Sequence, residues 1–465
     1  MLDYNSYFKN KRITMLGLGV LGRGVNVAKF LAKHGAILTI TDLKTAKELA
    51  SSRRELRRYK NISYVLGKHE LSDFQNRDMI IKAAGVPLDS PYVAAARKNK
   101  IPVEMDASLF AKLSPATIIG VTGTRGKSTV THLIYWILKK AGKKVFLGGN
   151  IRGLATLPLL QKTKRGDVVV LELDSWQLQG FGPTSLKLRG ASDGKGLSPH
   201  ISVFTTFLDD HLNYYKGSRA KYFADKANIF KFQKKGDIFI AGPQVSALVK
   251  NKKLLARRSI GAGGKVKSKL IIPKAIPSNW KLKIPGEHNR DNVALATEAA
   301  RALRIPDKVI RQAVENFSGV PGRLELVRTV RGVKIYNDTT ATTPDATIVA
   351  LQALGHPMSK WKKVVLIVGG ADKGLDMKKL TREIPKYCKT VIFLKGTGTE
   401  KLKIESRKWK VETREFNNLK NAVAAAMKLA EKGDVVILSP AFASFGMFKN
   451  EYDRGERFNK IVGRL

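Results

Sequence analysis

Short runs of aliphatic and β-branched residues recur along this chain. Most lead into a glycine turn and then a polar stretch with apolar positions at helical spacing. Residues 12–16 form the first such strand. A helix follows over 25–33, Gly35 stops it, and a second strand over 36–41 ends in Asp42. The same alternation predicts strands at 79–83 and 101–104 around a helix at 92–100. Further strands are predicted at 118–121, 144–147, 167–171, 200–207 and 237–240, with helices at 130–140, 222–230 and 292–303. Beyond residue 320 the strands are 334–336, 364–368, 391–394 and 435–438. Strand and helix in alternation argue an α/β chain with doubly wound, mainly parallel sheets. At 465 residues there is room for about three domains, drawn at 1–105, 106–319 and 320–465. Two stretches break the rhythm. Residues 180–199 are rich in Gly, Ser and Lys and read as an exposed insertion, more simply a loop than a lid. Residues 249–280 are basic and irregular, suited to edge strands and loops.

The turn after the strand at 118–121 carries the most chemistry. Residues 118–130 read IIGVTGTRGKSTV. Glycines let backbone N–H groups point inward, and the N-terminus of the following helix favours an anion. Lys127 can reach terminal phosphates and Ser128 can hold Mg²⁺, so Gly123, Thr124, Arg125, Gly126, Lys127, Ser128 and Thr129 are the candidate nucleotide cradle. The strict spacing of a phosphate loop is not met, because Val121 stands where the first glycine belongs. Downstream, Glu172 closes an apolar strand, and an acid at a strand tip beside a phosphate cradle can hold Mg²⁺. Asp209, Asp210 and His211 end the next strand and suit a second metal site.

Nearer the start, Gly17-Leu18-Gly19-Val20-Leu21-Gly22 follows a strand and opens a helix, with Asp42 about 20 positions on. Read alone, this fingerprint predicts a nicotinamide dehydrogenase. A uridine diphosphate offers the same parts, a diphosphate for the amides and a ribose or base for Asp42.

Composition narrows the classes. Hydrophobic residues make up 43%, enough for real cores, yet no apolar run approaches the ~20 residues of a membrane helix. The first 11 residues are polar and lack an apolar signal segment. The single cysteine, Cys388, excludes an internal disulfide and suits a reducing cytoplasm. Lys and Arg total 84 against 38 Asp and Glu, a formal charge of +46. A nucleic-acid-dependent ATPase is one reading of that excess. The basic residues are spread over every region, however, so a generally basic solvated surface is preferred, with nonspecific binding that salt abolishes. The expected molecule is a cytoplasmic monomer with no membrane contact and no specific nucleic acid.

The loop at 120–128, G-x-T-G-T-x-G-K-S, resembles that of the Mur ligase family, ATP-dependent enzymes that add amino acids to the peptidoglycan precursor. Arg125 replaces that family's usual Asn. The likeness spans the chain, and its most specific part is Ser439 to Asn450, SPAFASFGMFKN, similar to the glutamate-adding members, with Gly446 in place of Asp. The resemblance implies three α/β domains: Rossmann-like, phosphate-loop ATPase-like and Rossmann-like again. It implies that Val20, Leu21, Asp42 and Gly85 hold the uridine end of the substrate, Asn150 its diphosphate, and Gln177 another part of it. Around Gly85, Ala83-Ala84 replaces Ser-Pro. Glu172-Leu173-Asp174-Ser175-Trp176-Gln177-Leu178 is similar to the family's E-L-S-S-F-Q-L. Asp174 adds a charge there that either alters the metal shell or faces water.

The same resemblance makes Glu172, His211, Ser128 and Lys226 metal ligands, with Lys226 carrying a carbamate. Lys127, Glu172, His211 and Lys226 are then the catalytic set. Asn289 would contact adenine, and Arg323 and Asp338 would contact ATP. Thr342, Lys373, Ser444 and Phe448 would receive the amino acid, although Thr340 stands where the family usually has lysine. The implied reaction joins D-glutamate to UDP-N-acetylmuramoyl-L-alanine through an acyl phosphate, with ATP and Mg²⁺. A folylpolyglutamate-type or other amino-acid ligase of the same family is the near alternative.

Overall fold

The computed structural model describes residues 3–183, 196–211, 213–250, 268–355 and 363–465. The centre of the 180–199 insertion, Leu212 and much of 249–280 lie outside them. Within them the chain forms three sheets. The first contains β1 (Arg12–Leu16), β2 (Ile37–Asp42), β3 (Ile62–Leu66), β4 (Met79–Lys82) and β5 (Val103–Glu104), in the order β3-β2-β1-β4-β5, all parallel. The second contains β6 (Thr117–Thr122), β7 (Val145–Gly149), β8 (Val168–Glu172), β9 (Ile201–Phe204), β10 (Ile238–Ala241) and β11 (Lys269–Ile271). Its order is β11-β10-β9-β6-β8-β7, again parallel throughout. The third contains β12 (Glu325–Val330), β13 (Val333–Asn337), β14 (Val364–Val368), β15 (Cys388–Leu394), β16 (Glu412–Phe416) and β17 (Val435–Leu438), ordered β12-β13-β17-β14-β15-β16. Only its β12–β13 pair is antiparallel. Arg331 and Gly332, with φ of 50° and 78°, make the tight turn that joins them.

Central strands are buried on both faces, which is why they read as unbroken apolar runs. Every residue of β4, β8, β14 and β17 is buried. In β14 the alternation shows: Val364, Leu366 and Val368 enter one cluster, Val365 and Ile367 the opposite one.

The two helices that follow the glycine turns begin earlier than their apolar stripes. The helix predicted over 130–140 spans Lys127–Lys140, and the one predicted over 25–33 spans Arg23–Lys33. In both, a glycine at φ 84° forms the N-cap and turns the chain directly into the first helical residue. Lys127, Ser128 and Thr129 therefore stand in a helix's first turn. The strand predicted over 200–207 ends at Phe204, where the chain leaves the sheet to pass the cradle.

The chain divides into two compact units, one of Met1–Ile276 with Asn292–Ala313, the other of Pro277–Asp291 with Val314–Leu465. The first unit holds the first two sheets on a shared core that includes Phe8, Ile40, Phe110, Leu171 and Phe239. Glu104 and Lys112 pair at 2.6 Å within it. No described helix is long and apolar enough to cross a membrane.

Candidate active site

β6 delivers the cradle. Its neighbours β8 and β9 set Glu172 level with Val121 and Phe204 level with Thr122, so three strand ends open at one edge. Gly123 has φ 147°, and a Cβ there would lie 1.9 Å from Thr205 Oγ1. A Cβ on Gly126 would lie 2.4 Å from Asn292 Oδ1. Both positions need glycine for backbone shape and for room. The loop is pinned from the β9 side: Thr124 N donates to Thr206 O at 2.7 Å, Arg125 N to Thr206 Oγ1 at 2.9 Å, and Thr205 Oγ1 to Arg125 O.

Two lysine side chains converge on this loop. Lys127 Nζ donates to Gly123 O at 3.0 Å and Thr124 O at 3.1 Å, and Lys226 Nζ donates to Gly123 O at 2.9 Å. Lys226 is 1% exposed. Burial drives its pKa well below the ordinary lysine value, and the charge of Lys127 adds to the effect. The neutral amine is thus strongly favoured over its usual balance. His211 is also pushed down, first by burial, against the opposing pull of Asp210. It sits at φ 53° with its ring 4.8 Å from that of Trp176. Glu172 is buried at the tip of β8, and its carboxylate accepts no hydrogen bond from the described residues. Ser128 is buried in the helix's first turn. Among the described residues, no three His, Cys, Asp or Glu side chains form a ready metal cluster. The metal-ligand candidates named from sequence are thus a mixed set: the Ser128 hydroxyl, the Glu172 carboxylate, the His211 imidazole and the amine of Lys226.

β8 also links the cradle to a second feature. Beyond Glu172, Asp174 caps the short helix Ser175–Leu178: its Oδ1 accepts Gln177 N at 2.7 Å, and Gln177 Oε1 accepts Asp174 N at 3.3 Å. Asp174 therefore orients Gln177. That residue lines a cavity of about 470 Å³ together with Val20, Leu21, Asp42 and Gly85. Five of the six residues expected to hold the nucleotide substrate thus share one cavity. Val20 and Leu21 are each 56% exposed, apolar surface left open at its mouth. Asn150 is not among the lining residues; its backbone N donates to Glu172 O at 2.6 Å. Asp42 also bonds to the turn itself. Its Oδ2 accepts Leu18 N at 2.8 Å and Gly19 N at 3.0 Å, and its Oδ1 accepts Lys44 N at 2.9 Å. The carboxylate braces the glycine turn, and two amides expected to face a diphosphate are already taken.

In the other unit, Asp338, Thr342, Lys373, Ser444 and Phe448 follow the carboxyl ends of β13, β14 and β17, which are adjacent in the sheet, while Arg323 precedes β12 and Asn289 lies in the helix His288–Ala302. Lys373 Nζ donates to Thr342 Oγ1 at 3.1 Å and to Thr342 O at 3.3 Å. Ala371 and Ala443 bridge the Lys373 loop to the Ser444 loop. Phe448 N donates to Ser444 O at 3.2 Å. Asp338 is buried; burial raises its pKa to about 7 against the hydrogen bonds of Ser439 and Leu324 and the charge of exposed Arg323. Asn289 is buried, its Nδ2 donating to Pro285 O at 2.6 Å.

Residues 11–104 match the family "Mur ligase MurD-like, N-terminal domain", 121–300 the "Mur ligase middle domain", and 322–442 the "Mur ligase, glutamate ligase domain". The chain belongs to the Mur ligase family. Its relatives include the UDP-N-acetylmuramoylalanine--D-glutamate ligases of Roseiflexus sp. (36% identical over 97% of this chain and 98% of that one) and Borreliella burgdorferi (35%, 98% of each). Among solved structures, the UDP-N-acetylmuramate-alanine ligase MurC of Thermotoga maritima has a TM-score of 0.58 at 18% identity, covering 98% of this chain and all of that one. MurF ligase from the same organism also scores 0.58 at 18%, with full coverage of both chains. Those two likenesses establish the fold.

As a Mur ligase, the chain shows how its unusual residues are accommodated. Arg125 is exposed, and its backbone holds the loop: its N donates to Thr206 Oγ1 at 2.9 Å and its carbonyl accepts from Thr205 Oγ1. Thr340 donates to Gly322 O at 2.9 Å, a local turn bond. Gly446 has φ 96° with open space at its Cβ position, a conformation that costs an aspartate strain. Several supporting residues escaped sequence reading. Arg454, fully buried, donates to Thr339 O at 2.8 Å and Thr339 Oγ1 at 3.1 Å, which holds the 337–342 loop. Lys82 is 2% exposed and donates to Val86 O at 2.8 Å, bracing the Gly85 loop. The only signal was a charge at the end of an apolar strand.

Proposed function

We propose that this chain is an ATP-dependent amide ligase that joins D-glutamate to UDP-N-acetylmuramoyl-L-alanine in peptidoglycan precursor synthesis. The observation that carries the reading is that one compact unit holds a lysine-bearing phosphate cradle and a nucleotide-sized cavity, joined through the end of β8. In this reading Val20, Leu21, Asp42 and Gly85 hold the uridine end, Asn150 the diphosphate, and Gln177 the sugar–peptide side. Residues 123–129 cradle the ATP phosphates, with Asn289, Arg323 and Asp338 on the rest of ATP. Thr342, Lys373, Ser444 and Phe448 receive D-glutamate. The segments 1–105, 106–319 and 320–465 are the corresponding proposed domains. One buried cysteine suits a reducing compartment, and the proposed setting is a monomer in the cytoplasm.

The residues present fit Mg²⁺: Ser128, Glu172 and His211 would hold it with Lys226 as a carbamate. The lowered pKa supports that modification, since a neutral amine adds to CO₂ and releases one proton to become an anion. Mg²⁺ bound there supplies positive charge against the transferring phosphoryl group. Lys127 neutralises phosphate charge, and the cradle amides orient the γ-phosphate for in-line attack by the substrate carboxylate. ADP departs, the acyl phosphate accepts the glutamate amine, and inorganic phosphate leaves.

The test is ADP release with a panel of UDP-muramyl substrates, folates and amino acids. Turnover is expected with UDP-N-acetylmuramoyl-L-alanine and D-glutamate. Lys127→Ala should abolish it while circular dichroism stays native. Turnover with a folate, or with another amino acid in preference to D-glutamate, would overturn the assignment.

A further inference from the structure

The cavity at the first glycine turn has a cation that the fingerprint does not explain. Arg23 is the first residue of the helix Arg23–Lys33 and lines the cavity. Its neighbour Gly24 is packed tightly: a Cβ there would lie 2.1 Å from Leu18 O, so the turn and helix are held close and Arg23 projects from a fixed base. Nε donates to Leu154 O at 3.2 Å, and Nη2 donates to Ile151 O at 3.1 Å and Asn150 Oδ1 at 3.4 Å. One edge of the guanidinium is thereby clamped to the loop after β7. Nη1 donates to no described group. The bond to Asn150 Oδ1 also leaves that side chain's NH₂ as a donor.

Three of the six amides of the 17–22 turn are spent. Gly17 N donates to Thr41 O, and Leu18 N and Gly19 N donate to Asp42. Two other cations line the cavity. Lys82 gives its ammonium to the 83–86 loop carbonyls, and Lys44 stands not at the start of the helix but in the loop after β2, its backbone N held by Asp42. The two carboxylates in the wall, Asp42 and Asp106, are both satisfied by backbone amides, Asp106 by Thr156 N at 2.8 Å and Leu157 N at 2.6 Å. Of the three cations that line the cavity, the one carried by the helix end is Arg23.

We propose that Arg23 is the diphosphate-binding cation of this cavity, using its free Nη1 edge together with the Asn150 amide, while its other edge ties the first sheet's helix to the 150–154 loop. This rests on the reading of the cavity as the UDP site. A planar guanidinium suits this role because it can hold the loop and a phosphate oxygen at once, which a lysine cannot.

Calorimetric titration of the full chain with UDP and with uridine isolates the diphosphate. Wild type should bind UDP far more tightly than uridine. Arg23→Met should weaken UDP by about ten- to a hundredfold, as befits a charge-assisted hydrogen bond, with uridine unchanged. Arg23→Lys, the milder variant should Arg23→Met fold poorly, should fall between. In turnover, KM for the UDP substrate should rise while KM for ATP holds. Equal weakening of UDP and uridine would reduce Arg23 to a loop support and overturn the proposal, as would an unchanged preference in both variants. A wild type that binds UDP no better than uridine would overturn the UDP reading of the cavity itself, and this assignment with it.

Discussion

Lys226 shows how burial alone can prepare a residue for chemistry. An exposed lysine is an ammonium at neutral pH and has no lone pair for CO₂. Here burial and the facing charge of Lys127 favour the neutral amine. Lys226→Ala should lose activity by about 10²-fold or more, on the scale of a lost catalytic group, and excess short-chain carboxylic acid should partly restore it. Initial rates with and without added acetate decide this; no restoration would leave Lys226 as a merely structural cation. Lys82 belongs to the same class. Burial lowers its pKa to about 7, against the pull of Asp174 and Asp225. The unfolded chain then binds more protons than the folded one between pH 7 and the ordinary lysine value, so this residue makes stability rise with pH across that window. Lys82→Met should flatten the rise in urea midpoint between about pH 7 and 9.5, and an unchanged slope would sink the account. Asp42 points the other way. Sequence spacing offered its carboxylate to a ribose or base but could not say that its oxygens brace the turn, because spacing carries no direction for a carboxylate.

At the level of elements, what could be read followed burial. Strands buried on both faces, such as β6, β8, β14 and β17, announce themselves as apolar runs. The strands that went unread, β3, β12 and β16, are all sheet edges. None of their residues is buried, and sequences such as ETREF carry charge that discourages pairing with another chain. The starts of the two anion-facing helices were misplaced because the apolar stripe begins a turn after the glycine cap. Glycine spacing located the cradle. The supports from Thr205 and Thr206, and the close approach of Asn292, come from distant segments that no local pattern connects to it. Asp174 was left open between metal shell and solvent, and its element settles its main role, because it caps Ser175–Leu178 and fixes Gln177. Asp174→Ser preserves a cap and should cost little. Asp174→Ala should cost about 0.5–2 kcal/mol in denaturant unfolding and raise KM for the UDP substrate. Equal behaviour of the two variants would mean that the charge, not the cap, is what matters.

Across the whole molecule the excess of cations demands a physical reading, because +46 is far beyond what a few phosphates require. The ion pairs are mostly exposed and weak, for example Lys216–Asp89 and Arg219–Asp209. Repulsion among the surplus lysines and arginines is therefore only partly offset. Screening should relieve it, so the melting temperature should rise as salt goes from about 10 to 200 mM, where the Debye length shrinks from ~30 Å to under 10 Å. The same surface must attract any polyanion by counterion release. If that attraction is nonspecific, the affinity for a labelled RNA should fall log-linearly with salt, by roughly 10³-fold or more between about 50 and 200 mM for a six-phosphate contact. ADP release should be indifferent to RNA or DNA at the upper salt, because the cradle is built for a nucleotide triphosphate and the cations are spread over both units. RNA that stimulates turnover at that salt, or binding that survives it, would show that the charge forms a true nucleic-acid site and that the basic surface is part of the function.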